Sequence, residues 1–332
     1  SYFFIKKKKL IYYFFYSIFF LILILIVDAS IQFFSGKNIL GYTNSEIHRI
    51  TSFFDDEQIM GSFVAKIFVL LLFAKIIIDK SKKITHIFIN LAIFVSPILI
   101  FLSGERTSLL MFSLMVFYYL MFLYREKKFK FFYYFSFLSV IFVTVFLLSS
   151  KTYYDRYITQ TLSSIFDINY SQNKDLLPNQ VSKDYNFYFL SAQHQNYMIT
   201  SLKIFRENRL MGSGPKSFRH SCADENISTN YYSCGTHPHN YYLQLIAETG
   251  LVGIIIIISV YIFILIKSLI NFYNILTKKK YDPLEIIILG YYFAQLWPLT
   301  QTGNFFNNYN SIMFYLPLSI YMTMFFQKKY TN

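Results

Sequence analysis

Read as a pattern of apolar and polar positions, the chain alternates long uncharged runs with short basic loops. Residues 10–27 and 84–103 carry no charged side chain. Each is close to the roughly 20 apolar residues that a helix needs to cross a hydrocarbon core about 30 Å thick. Eight such segments can be placed, at about 10–27, 59–78, 84–102, 108–124, 131–149, 241–266, 284–303 and 310–327. The pattern predicts an all-α polytopic membrane protein with about eight transmembrane helices. Helices one to five fall in residues 1–149 and six to eight in 241–332, separated by a loop over 150–240. A connection of that length is functional or carries structure of its own. Apolar residues at three- and four-residue intervals over 185–205 predict a helix inside it.

The basic residues sort by side. Residues 6–9, 80–83, 125–130, 267–280 and 328–329 hold more than half of the 31 Lys and Arg, whereas the short loops opposite hold only Lys37, Arg49 and Arg106. The positive-inside rule then puts both termini in the cytoplasm and residues 28–58, 103–107, 150–240 and 304–309 outside. That distribution also accounts for the net charge of +13, which in a soluble protein would point to nucleic acid; no nucleic-acid partner is expected. Only 15% of residues are charged and mean hydropathy is +0.38, which excludes a soluble globule of this length. The 39 Phe and 30 Tyr match what an AT-rich genome produces, so single aromatics carry no functional reading. Residues 6–9 and the apolar run after them resemble a secretory signal, but no small-residue cleavage site follows. They are read as a signal anchor, the first helix of this chain.

Polar groups near the membrane are few. The densest set closes the long loop: Thr236, His237, Pro238, His239 and Asn240, leading into the sixth helix. Asn240 is a good N-cap, which stands His239 at the helix mouth, where a neutral imidazole can take a proton from a hydroxyl. A headgroup-level loop histidine is the plainer alternative. A metal site from His237 and His239 lacks further ligands in sequence, so no metal is expected. Gly250 and Gly253 read as allowing close helix packing. Glu248, two turns into the helix, should face a polar partner. Cys222 and Cys234, the only cysteines, are either a disulfide bracing the segment before His239, two thiols or a metal pair. Asp55, Asp56 and Glu57 read as a solvated patch or as a site for a cation or sugar hydroxyl. The Gly212 to Ser217 run superficially suggests a nucleotide P-loop, but Pro215 occupies a required glycine and no strand precedes it.

His239-Asn240 followed by Gly250 and Gly253 resembles the signature of the O-antigen ligase and O-antigen polymerase family, membrane glycosyltransferases acting on undecaprenyl-diphosphate-linked glycans. Gly212-Ser213-Gly214-Pro215-Lys216-Ser217-Phe218 is similar to the family's G-x-G-x-x-x-F turn. Ser103-Gly104-Glu105-Arg106 is similar to its short arginine-bearing outer loop, and residues 28–62 to members with an aspartate, a glutamine, glycines and an F-x-D-E-like stretch. The resemblance covers about residues 28–266. Members commonly have roughly ten to twelve helices, which implies up to four more before Ser1.

The resemblance implies that His239 is the catalytic base and Arg106 a diphosphate ligand, a role suited to the guanidinium fork. It raises Asp56 and Glu57 as positioning groups. Where many members carry a second arginine, some fifteen residues before the glycine turn, this chain has His194, so His194, Arg209 and Arg219 remain alternatives for that role. Arg206 is read as meeting anionic headgroups. The implied function is metal-independent, inverting glycan transfer without a cofactor, in the bacterial inner membrane with the site facing the periplasm. The donor would be an undecaprenyl-diphosphate-linked glycan. The acceptor would be lipid A core for a ligase or another glycan for a polymerase. A glycan-lipid flippase or transporter is the alternative from another class. It predicts charges spread through several helices, whereas only Lys66, Lys75, Glu248 and Glu285 lie in the apolar segments.

Overall fold

The computed structural model describes residues 8–43, 49–78, 82–123, 130–166, 190–224, 226–228 and 234–331. Its elements are helical, and among the described residues the only strand-like pairing is an isolated bridge between Lys37 and Thr43. The chain divides into two compact units. One comprises Ser1–Tyr153, Ile264–Gln295 and Met313–Asn332; the other comprises Tyr154–Phe263 and Leu296–Ile312.

The first unit is organised around α2 (Met60–Ile77), which is buried almost continuously from Val64 to Lys75. A helix apolar on all sides is suited to the middle of a bundle, and α2 packs with α1 (Lys8–Ser35), α3 (Lys83–Leu102), α4 (Arg106–Phe122) and α10 (Pro283–Gln295). Its two lysines are accommodated locally: Lys75 Nζ donates to Asn90 Oδ1 on α3 at 2.5 Å, and Lys66 interacts with the charge of Glu105. The loop that follows α1 is pinned to the end of that helix. Asp28, fully buried, accepts from the Ile39 amide at 2.8 Å and from the Ser52 hydroxyl, and Gln32 Oε1 accepts from the Ser52 amide at 2.7 Å.

Glu105 is the other anchor of this unit. The carboxylate accepts from the amides of Gly61 and Ser62, at 2.5 and 3.1 Å, and from the Ser108 hydroxyl at 2.6 Å. It therefore caps the N-terminus of α2, whose first amides lack partners inside their own helix. Burial pushes its carboxyl above the ordinary carboxylate range, while Ser108, the two amides and the charge of Arg49 pull the other way.

All eight apolar segments fold as helices, but their fitness to span differs. Leu10–Ser35, Met60–Ile77, Lys83–Leu102 and Tyr241–Leu276 are long and apolar enough to cross a bilayer. A fifth crossing exists if α5 (Lys130–Ser149) and α6 (Lys151–Phe166), bent by 106° at their junction, make one broken span. Helix α4, at 17 residues, is apolar but short. Helix α10 stops at Gln295 rather than near residue 303, and its 13 residues reach about 20 Å. Pro298 explains the stop, because it disfavours helical backbone at Trp297. In the long loop, α6, α7 (Ala192–Glu207) and the short α8 (Phe218–Ser221) are helical; residues 185–189 of the segment expected to be helical lie outside the described residues.

Replacing Glu105 with alanine leaves two helix-end amides without their acceptor. The expected loss is about 1–3 kcal/mol, read as a lower thermal unfolding midpoint of the purified protein in detergent, with a smaller loss for Glu105→Gln.

Candidate active site

The second unit is built on a broken helix. Within α9 (Tyr241–Leu276), Gly250 adopts φ 62° and ψ −150°, a conformation essentially restricted to glycine. The break frees backbone groups on both sides, and the 209–214 turn takes them up. Leu251 N–H donates to Arg209 C=O at 2.8 Å and Val252 N–H to Leu210 C=O at 3.4 Å. In return, Ser213 N–H donates to Ala247 C=O at 3.0 Å and Gly214 N–H to Glu248 C=O at 2.9 Å. The chains approach so closely that a Cβ at Gly250 would lie 2.5 Å from the Leu210 oxygen, and one at Gly212 would collide with the Glu248 backbone. The glycines of two separate motifs thus serve one contact. This corrects the expectation that Gly250 and Gly253 mediate packing between helices: Gly250 makes the break, and a side chain at Gly253 would meet Thr249 of the same helix.

Glu248 locks the contact. Fully buried, its carboxylate accepts from the amides of Lys216 and Phe218, both at 3.0 Å, and from Gln244 Nε2 at 2.9 Å. With Gly212 N–H on Asn208 C=O and Ser217 N–H on Gly214 C=O, every amide from Gly212 to Phe218 has an acceptor within the unit. The glycine turn is consequently no phosphate cradle; its donors hold the helix break together. Gln244 extends the network, donating to Asn304 Oδ1 at 2.9 Å and accepting from Phe305 N–H at 2.8 Å.

The 296–307 segment wraps the start of α9. Asn240 Oδ1 accepts from the Tyr242 and Leu243 amides at 2.9 and 3.2 Å, the N-cap geometry, and its Nδ2 donates to Pro298 C=O at 2.8 Å. Thr302 N–H donates to His239 C=O at 2.8 Å. His239 itself has φ 54°, left-handed backbone that turns its imidazole out of the line of the helix.

Three histidines and a tyrosine gather there. The His239 ring lies 4.1 Å from that of His237, stacks on Tyr197 at 5.6 Å and sits 6.4 Å from His194. Helix α7 supplies two of these: Ser191 caps its first turn and approaches His194 Nδ1 at 2.6 Å, and Tyr197 accepts from Gln193 Nε2 at 2.9 Å. Beneath them is a small core of Tyr197, Ile204, Phe218, Cys222, Ile227 and Ala247, against which Cys234 packs. Cys222 and Cys234 are joined by a disulfide, with Cα atoms 5.1 Å apart. Burial pulls His239 below the ordinary histidine range. His237 is pushed down to about 4, by burial first and then by His239 and Arg219, against the opposing effect of the Thr302 carbonyl. Both imidazoles are therefore neutral at pH 7.

The other candidates are unevenly placed. Arg219 is exposed, yet its charge reaches His237. Arg209 is exposed at the helix break, where its carbonyl bonds Leu251, about 18 Å along the chain axis from His239. In the first unit, half-buried Arg106 is the first residue of α4, after Gly104 at φ 65°, and Asp56 and Glu57 are exposed. Among the described residues no cluster of three or more His, Cys, Asp or Glu could hold a metal ion. Sequence reasoning missed Tyr197, Gln244, Thr302 and Asn304. Only the four-residue spacing of Gln244 and Glu248, which puts them on one helix face, hinted at the network.

Gly250→Ala should destabilise the protein by at least about 1–3 kcal/mol from backbone strain alone, and Gly253→Ala by less, since a Thr249 hydroxyl can rotate away; thermal unfolding in detergent measures both. His237 and His239 take up protons more readily unfolded than folded. Stability should therefore fall as pH drops from about 6.5 towards 4, seen as a lower unfolding midpoint at pH 5 than at pH 7. Residues 91–258 match the O-antigen ligase family (Wzy_C), and that span contains Arg106, the histidine cluster, the glycine turn and the helix break. No curated protein sequence matches the chain. With about half of its length matched, the chain belongs to the O-antigen ligase family.

Proposed function

We propose that the protein transfers a glycan from undecaprenyl diphosphate to an acceptor hydroxyl at the periplasmic face of the bacterial inner membrane, with lipid A core as acceptor. The observation that carries this reading is His239, held neutral by burial and fixed by Tyr197, His237 and the Thr302 amide, within a family of membrane glycan-transfer enzymes. The chemistry needs no cofactor. His239 takes the proton of the acceptor hydroxyl, whose oxygen bonds to the anomeric carbon. The bond from that carbon to the diphosphate breaks, and its electron pair leaves with the diphosphate. A single displacement inverts the anomeric centre.

Charge developing on the leaving diphosphate calls for fixed cations. In the second unit Arg219 is better placed than Arg209, because its charge acts on His237, the neighbour of His239. His194 is the neighbouring alternative. The same role for Arg106 rests on the family pattern alone, as does acceptor or donor positioning by Asp56 and Glu57. Eight crossings, with both termini cytoplasmic and the 150–240 segment outside, are the topology that the lysine and arginine distribution supports.

The test uses a strain lacking its own ligase and polymerase, in which surface glycolipid is run on a gel for wild type and His239→Ala. Glycan appearing on lipid A core without lengthening, and lost with His239→Ala by about 10²–10⁴-fold in rate, is the expected result. A ladder of lengthening glycan that depends on His239 would replace ligase by polymerase. Full activity in His239→Ala would remove the mechanism. Because the base form is the active one and its pKa is lowered, activity should fall only below about pH 6.5; an acid limb above that value would exclude His239 as the base.

A further inference from the structure

The 209–211 turn presents a second feature beyond the helix break that it completes. Leu210 is 68% exposed and Met211 73%, although each belongs to a segment held rigidly by backbone hydrogen bonds to Leu251 and Val252. Large apolar side chains held outward need a non-aqueous neighbour. Their position along α9 says which. From Leu251 the helix runs to Leu276 with apolar side chains outward, Val252 at 47% and Ile256 at 61% exposure. That stretch reaches about 39 Å, enough by itself to cross a hydrocarbon core about 30 Å thick, and it belongs to a helix long and apolar enough to span a bilayer. The 209–211 turn, bonded to its first two residues, therefore adjoins one end of that span.

Charge agrees with that level. Arg206 and Arg209 are both exposed beside the two apolar side chains and outweigh exposed Glu207 between them, the combination of apolar tip and net basic flank that binds at an anionic headgroup boundary. We propose that the 209–211 turn is an interfacial membrane anchor. Leu210 and Met211 enter the acyl-chain boundary of the leaflet at the Leu251 end of that helical stretch, and Arg206 and Arg209 lie on its anionic phospholipid headgroups. The anchor holds the helix break, and with it the base of the histidine cluster, at a fixed depth. It is independent of which glycan is transferred and of the role of any histidine.

The experiment reads depth rather than activity. Because Cys222 and Cys234 are joined, Met211→Cys introduces a single reactive thiol for a nitroxide label in the full chain. The labelled protein is reconstituted in phosphatidylcholine vesicles with and without phosphatidylglycerol. Ile256→Cys supplies a bilayer reference, and Asn226→Cys, exposed in the outer loop, an aqueous one. Power saturation with oxygen and with a water-soluble nickel complex should place Met211 with Ile256. Its nickel accessibility should be several-fold below that of Asn226 and lower still with phosphatidylglycerol. Leu210→Cys gives the same reading from an independent variant. Labels at both positions that track Asn226 overturn the anchor; accessibility insensitive to phosphatidylglycerol overturns the part assigned to Arg206 and Arg209.

Discussion

The second unit depends on an exchange of backbone hydrogen bonds across a deliberate fault in a helix. A helix interrupted at Gly250 leaves carbonyls and amides without partners, and near a membrane such groups are costly to leave unmade. The 209–214 turn supplies them from elsewhere in the chain, and buried Glu248 collects the next two amides of that turn. Sequence positions more than thirty residues apart are thereby fixed to within hydrogen-bonding tolerance. The start of α9, and so the backbone of His239, inherits that precision. A carboxylate buried in this way is stabilised by its donors, since an ion without them would not be tolerated there.

The first unit solves a related problem with the same chemistry. Glu105 provides an acceptor for the buried N-terminal end of α2, from a loop that comes 44 residues later. In doing so it fixes the residue immediately before Arg106. In both units, then, an acidic side chain serves backbone amides rather than substrate. Residues proposed to act on the diphosphate stand next to these anchored positions in sequence: Arg106 beside Glu105, and Arg219 beside Phe218, whose amide Glu248 holds.

What could be read in the sequence and what could not divides along physical lines. Apolar runs specify helices because the bilayer selects on length and composition, so all eight apolar segments were legible as helices, although among the described residues only four, or five with the bent pair, are long and apolar enough to span. Their ends were less so. The stop of α10 at Gln295 follows from Pro298, but the use of the following segment to wrap Asn240 and His239 depends on contacts some sixty residues apart. The histidine motif was legible as chemistry, whereas its support was not. Tyr197 is one aromatic among 69 Phe and Tyr, and nothing local distinguishes it. Gly250 looked like a packing glycine because sequence shows that a side chain is absent, while only backbone geometry shows that φ is positive.

The disulfide ties the histidine loop to the compartment in which the chain folds. Such bonds persist where the surroundings are oxidising and are kept open in a reducing cytosol. Cys222 belongs to the core beneath Tyr197, and Cys234 lies three residues before His237. A copy whose loop met a reducing compartment would keep both as thiols, and its histidine loop would lack a covalent tether worth about 3 kcal/mol. Full rigidity of the loop is thus reached only where the chain has been oxidised.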